Sequence, residues 1–107
     1  MIDRPADDMM AEMMNNTQVH VIVEGRVHGV GFRYFVLDKA NQLHLTGWVR
    51  NRFNGEVEVT AEGRRQDLDQ LLNHLRTGPR SAFVSNLIVN WREPTNEYSH
   101  FTVRSSA

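Results

Sequence analysis

Hydrophobic positions along the chain change period several times, and each change marks a new element. From Val19 to Glu24 the valines at 19, 21 and 23 alternate with His20, Ile22 and Glu24, the period-two pattern of a strand lying on a core. This first strand should end at Gly25. Phe32, Phe35, Val36, Ala40 and Leu43 then recur at helical spacing, with Arg33, Asp38, Lys39 and Asn41 off the stripe, and predict a first helix. Leu45–Asn51 and Glu56–Glu62 read as two strands joined through Asn54-Gly55, a pair that tolerates positive φ. In the second of these, Val57, Val59 and Ala61 alternate with Glu56, Glu58, Thr60 and Glu62, which predicts one wet face. Leu68, Leu71, Leu72 and Leu75 form a second helical stripe, stopped by Gly78-Pro79. A fourth strand is expected over Phe83–Trp91 and a short fifth at Phe101 and Val103, with the polar stretch Glu93–Ser99 as a loop between them.

The order strand, helix, strand, strand, helix, strand contains two right-handed crossovers that share a central hairpin. Such a chain folds as an α+β ferredoxin-like α/β sandwich, βαββαβ, with an antiparallel sheet and both helices on one face. That architecture hosts many unrelated activities, so function has to come from a site.

The 107 residues are 40% hydrophobic, enough for one core and one domain. The formal charge of −1 supplies no overall basic field for a nucleic-acid backbone, so an anion would have to be caught locally. The absence of cysteine excludes disulfides, thiolate metal sites and a cysteine nucleophile. No stretch approaches the ~20 apolar residues of a membrane helix. Residues 1–16 stand apart: all five methionines lie there, with Asp3, Asp7, Asp8 and Glu12 against Arg4 alone. The segment lacks the basic start and apolar run of a secretory signal and is expected to be a disordered leader without a catalytic role. Met9, Met10, Met13 and Met14 are alternative starts. Residues 17–107 are then the functional domain, and a cytoplasmic monomer is expected.

One place has the makings of a site. Gly25 to Gly31 joins a strand to a helix, and a helix start presents unpaired N–H groups with partial positive charge to which a phosphate-sized anion fits. Glycines at 29 and 31 let the backbone curl into a nest, and Arg33 follows at its mouth with a guanidinium suited to phosphoryl oxygens.

Gly25-Arg26-Val27-His28-Gly29-Val30-Gly31-Phe32-Arg33, followed by Gly47-Trp48-Val49-Arg50-Asn51, resembles the two signatures of the acylphosphatase family. The resemblance runs from about Val19 to Arg104 and includes Asn54-Gly55, Ser81-Ala82 and Phe101-x-Val103-Arg104. It implies the ferredoxin-like fold, no cofactor, no metal, and hydrolysis of small-molecule acyl phosphates to a carboxylate and inorganic phosphate. It also implies that Arg33 and Asn51 are catalytic, and that the phosphate-binding residues are Arg26, Val27, His28, Gly29, Val30, Gly31, Phe32 and Arg33. The residue types suit the chemistry, because a carboxyl-phosphate is already activated and needs only to be held, relieved of charge and aligned with a water. Asn51 can orient that water but cannot act as a strong base.

Four positions depart from the family pattern. His28 replaces the usual glutamine, His44 the usual glycine after the first helix, and Phe53 and Asn54 a frequent proline and aspartate. His28 either contributes backbone only or brings a titrating ring to the ligand; His44 either adopts a strained left-handed conformation or the helix ends differently. His20, His74 and His100 have no ligand spacing, and Trp48 and Trp91 are expected to pack in or beside the sheet. Two other readings compete. An RNA-recognition module is disfavoured by Glu56, Glu58 and Glu62 on the third strand. The other is an acylphosphatase-like domain that binds phosphate or carbamoyl phosphate with little turnover, as in a carbamoyl-transfer protein of hydrogenase maturation.

Overall fold

The computed structural model describes residues 16–107, so the expected leader lies outside the described residues except for Asn16, which already belongs to the first strand. The elements are β1 (Asn16–Arg26), α1 (Phe32–Gln42), β2 (Thr46–Asn51), β3 (Val57–Arg64), α2 (Arg65–Thr77), β4 (Phe83–Arg92) and β5 (Phe101–Val103). Both helices pack on one face of a five-stranded sheet ordered β4-β1-β3-β2-β5. Four strands form the expected antiparallel set, while β5 adds to the edge of β2 in parallel, so the sheet is mixed rather than wholly antiparallel. A parallel neighbour is possible here because the chain crosses the sheet through the 93–100 segment before β5 begins. Among the described residues no helix is long and apolar enough to cross a membrane.

The core lies between sheet and helices. Val19, Val21 and Val23 of β1, Val57, Val59 and Ala61 of β3, and Val49 of β2 are fully buried there against Val36 and Ala40 of α1 and Leu68, Leu71 and Leu75 of α2. Each strand therefore uses its odd-numbered residues for the core, as the alternation predicts.

The other face of β3 is not wet. Glu58, Thr60 and Glu62 are all buried, because β3 is the central strand and its polar side chains are covered from both sides. His20 Nε2 lies 2.7 Å from Glu58 Oε2, while Arg50 Nε donates to Glu58 Oε1 at 2.8 Å and Arg52 Nη1 at 3.3 Å. Glu62 accepts from Gln18 Nε2 (2.6 Å), Thr95 N (2.7 Å), Thr95 Oγ1 (2.8 Å) and Asn96 N (3.0 Å). Glu62 thus ties the β4–β5 connection down across the face. Burial by itself raises both carboxyl pKa values. The hydrogen bonds from Thr95, Gln18 and Asn96 to Glu62, and those from His20 and Arg50 to Glu58, outweigh it and hold each below the ordinary 4.5. Trp48 also packs on this face, between the guanidinium groups of Arg50 (4.8 Å) and Arg104 (4.6 Å), with its indole N–H 3.3 Å from Tyr98 Oη. Trp91 lies under Arg65 at 3.6 Å.

Helix α1 ends in a Schellman motif: Leu45 N donates to Ala40 O at 2.9 Å and His44 N to Asn41 O at 3.1 Å. His44 occupies its left-handed position with φ 56°, so the first of the two alternatives for this residue holds. Leu45 is consequently the buried apolar partner of that motif rather than the first residue of β2.

Two stability predictions follow from these features. A left-handed conformation costs a side-chain-bearing residue about 1–2 kcal/mol, partly offset by the greater unfolded-state freedom of glycine. His44→Gly should therefore stabilise the fold by about 0.5–1 kcal/mol, read as a Tm higher by a few degrees; an unchanged or lower Tm would refute the strain. The depressed carboxyl pKa values make a pH-dependent contribution, complete above the ordinary 4.5 and lost as pH falls through the lower folded values. Glu62→Gln should cost about 1–3 kcal/mol near neutral pH and flatten the acid limb of stability in urea titrations between about pH 3 and 7. An equally steep acid limb in the variant would show that Glu62 is not a source of it.

Candidate active site

The sheet register brings the two sequence signatures to one end of the molecule. Val57 of β3 pairs with Val23 of β1 on one side and Asn51 of β2 on the other, so the three lie in one row. β1 and β2 are both antiparallel to β3, hence parallel to each other, about 10 Å apart at two strand spacings. Past that row β1 continues three residues to Arg26 and opens into the loop that leads to α1. The loop and the end of β2 therefore share one edge of the sheet.

Side chains anchor the loop while leaving its backbone open. Val27 and Phe32 are buried in the core at its two ends, and Val30 packs against the core between them. Gly29 and Gly31 have φ of 70° and 74°, left-handed values at successive alternate positions that curl the chain into a cup. Gly31 is the N-cap of α1 and makes no side-chain cap, and no acidic residue occupies the first turn. Helix α2, by contrast, carries Asp67 in its first turn. Among the described residues, no protein acceptor takes the N–H groups of His28, Gly29, Val30, Gly31, Phe32 or Arg33. An array of unaccepted amides at the positive end of a helix is suited to an anion.

Arg33 is the second residue of α1, half-buried, and its guanidinium has no hydrogen-bond or ion-pair partner among the described residues. Asn51 ends β2 on the same side as the buried Val49, the side that carries the helices, and its carboxamide likewise has no partner among the described residues. Its neighbour Arg50 turns to the opposite face and is held by Glu58. Pleating thus separates the two polar residues at the end of the motif: the arginine is consumed in structure and the asparagine is left available.

The side chain of His28 is engaged within the protein. Its ring turns toward the β2–β3 hairpin, where Nε2 lies 2.8 Å from the carbonyl oxygen of Glu56. Arg26 is the last residue of β1, paired with Phe83, and is exposed. The hairpin itself turns through Gly55 (φ 96°), with Gly55 N on Arg52 O at 3.1 Å, while Asn54 Oδ1 accepts from Glu56 N at 3.1 Å. Phe53 at its tip is exposed.

Sequence reasoning missed the segment 104–107, which runs along β2. Arg104 N donates to Val49 O (2.8 Å), Ala107 N to Asn51 O (3.1 Å) and Phe53 N to Ala107 O (2.9 Å), so the backbone of Asn51 is flanked by β3 on one side and by this segment on the other. These contacts are all main-chain, and no side-chain pattern announces them. Surface concavities of about 370 Å³ beside β4, lined by Val84, Leu87 and Val89, and of about 220 Å³ near Thr46 and Glu62 include no residue of the loop in their lining. A backbone nest needs no deep cavity to hold a small anion.

Comparison with known proteins gives a consistent answer. The acylphosphatase family profile matches residues 19–103. A protein named acylphosphatase from Moorella thermoacetica is 46% identical over 93 residues, which is 87% of this chain and 99% of the relative. The crystal structure of acylphosphatase from Bacillus subtilis superposes with a TM-score of 0.80 at 36% identity, over 82% of this chain and 98% of that one. The structure of an acylphosphatase from Coxiella burnetii does so with 0.77 at 47%, over 87% and 97%. With a profile that spans most of the described residues and relatives matched over nearly their whole length, the chain belongs to the acylphosphatase family.

Proposed function

We propose that the chain hydrolyses the carboxyl-phosphate bond of small acyl phosphates by in-line attack of a water, with Arg33 and Asn51 as its catalytic residues. The phosphoryl group sits in the nest, where the amides of His28 to Arg33 and the Arg33 guanidinium accept its negative charge. Asn51 aims the water from the end of β2. Water oxygen bonds to phosphorus as the bond to the carboxyl oxygen breaks; the carboxylate leaves, and the water's proton passes to a phosphate oxygen. Asn51 takes no proton, since an amide is not basic near neutral pH. The acceleration comes from positioning and from preorganised positive charge at the phosphoryl oxygens.

What supports this reading is a single arrangement: unaccepted amides, a guanidinium and a carboxamide, each lacking a protein partner among the described residues, share one edge of the sheet. The relatives matched over nearly their full length are named acylphosphatases, whereas a full-length HypF in phosphate- and nucleotide-bound form matches at 26% identity over only 12% of that chain.

Benzoyl phosphate hydrolysis tests the reading directly, and an absence of turnover would overturn it. Arg33→Lys should lower kcat/KM by roughly 30- to 150-fold, because a point charge replaces a planar fork that spans two oxygens. More than about a tenth of the parent's activity in the lysine variant would count against two-pronged binding. Asn51→Ala should reduce kcat about 100-fold while leaving competitive inhibition by inorganic phosphate within about threefold of the parent. Equal damage to inhibition and turnover would move Asn51 into the anion cradle and leave the water unassigned.

A further inference from the structure

We propose that His28 is a positioning residue, whose ring clamps the phosphate loop to the hairpin that carries Asn51 and so sets the distance between phosphoryl group and attacking water. The proposal rests on the reading of Asn51 given above and extends it to a side chain that touches no reacting atom.

The loop is tethered unevenly. Val27 and Phe32 fix its ends in the core, but between them the fold supplies few constraints. Among the described residues, the contact of His28 Nε2 with Glu56 O is the one hydrogen bond that links residues 28–30 to the rest of the protein. A carbonyl has no proton to give, so Nε2 must carry the hydrogen, and the neutral ring is the Nε2–H tautomer with Nδ1 left as acceptor.

The acceptor is a rigid one. Glu56 O also receives Arg52 N at 2.8 Å, the bond that closes the hairpin. Glu56 N donates to Asn54 Oδ1, and its carboxylate accepts Asn54 Nδ2 at 2.7 Å. Glu56 immediately precedes Val57, the residue paired with Asn51. One imidazole therefore joins the element that holds the anion to the element that holds the water-orienting amide, across the gap between two parallel strands that never pair with each other. In-line displacement is sensitive to that gap, since a misplacement of about 1 Å can cost 10²-fold.

The test is a double-mutant cycle read in kcat on benzoyl phosphate, together with backbone 15N order parameters at Gly29, Val30 and Gly31. His28→Ala should lower kcat about three- to tenfold, the value of one neutral hydrogen bond, and lower the order parameters of the loop with little change in Tm. His28→Gln, whose amide N–H can reach the same carbonyl, should recover kcat to within about threefold of the parent. In the Asn51→Ala background the His28→Ala loss should shrink to below about twofold, because the water whose alignment it protects is no longer held. An undiminished loss in that background, a glutamine variant no better than alanine, or unaltered loop order parameters would each overturn the proposal. Were the parent to hydrolyse no benzoyl phosphate, the functional reading would fall, and the order parameters would decide the clamp by themselves.

Discussion

Everything at the active edge depends on the pairing of β3 with two strands at once. Because β1 and β2 are each antiparallel to β3, they run parallel to one another and finish at the same end. The first delivers the loop and the start of α1, and the second delivers Asn51. The shared row through Val23, Val57 and Asn51 sets their relative height. A one-residue slip of β2 would turn Asn51 to the open face and bring Arg50 round to the helices. Burial of Val49, Val57 and Val59 on one side forbids that slip, so the hydrophobic core enforces the register that places Asn51.

The distribution of polar partners divides the molecule into two regimes. On the face away from the helices, each buried carboxylate is met by donors: Glu58 by His20, Arg50 and Arg52, and Glu62 by four from Gln18, Thr95 and Asn96. At the loop, donors are assembled without acceptors, at a helix N-terminus that has no acidic residue in its first turn. A chain of almost zero net charge can thus hold a concentrated positive site, because the balance is struck locally rather than over the whole surface.

The parallel pair of β1 and β2 also creates a problem that the fold solves with main-chain and imidazole contacts. The two functional elements have no ladder between them, since β3 intervenes. From one side the 104–107 segment flanks β2 through Val49, Asn51 and Phe53; from the other, His28 reaches across to Glu56.

Periodicity alone determined the helices, the strands and the core, because burial of one face imposes a period that the side chains must obey: Val19, Val21 and Val23, or Leu68, Leu71, Leu72 and Leu75, can be read without coordinates. The loop glycines and Arg33 were legible for the same local reason, as a turn and a helix start carry their chemistry in adjacent residues. Tertiary structure decided the rest. Whether the glutamates of β3 met water depended on β3 being central, which no single strand records. Gly47 is needed because a Cβ there would collide with the carbonyl oxygen of Thr60 on the adjacent strand. The partner of His28 came from a hairpin distant in sequence. Contacts between main-chain groups leave no mark on residue type, so a sequence specifies them only through the fold that brings them together.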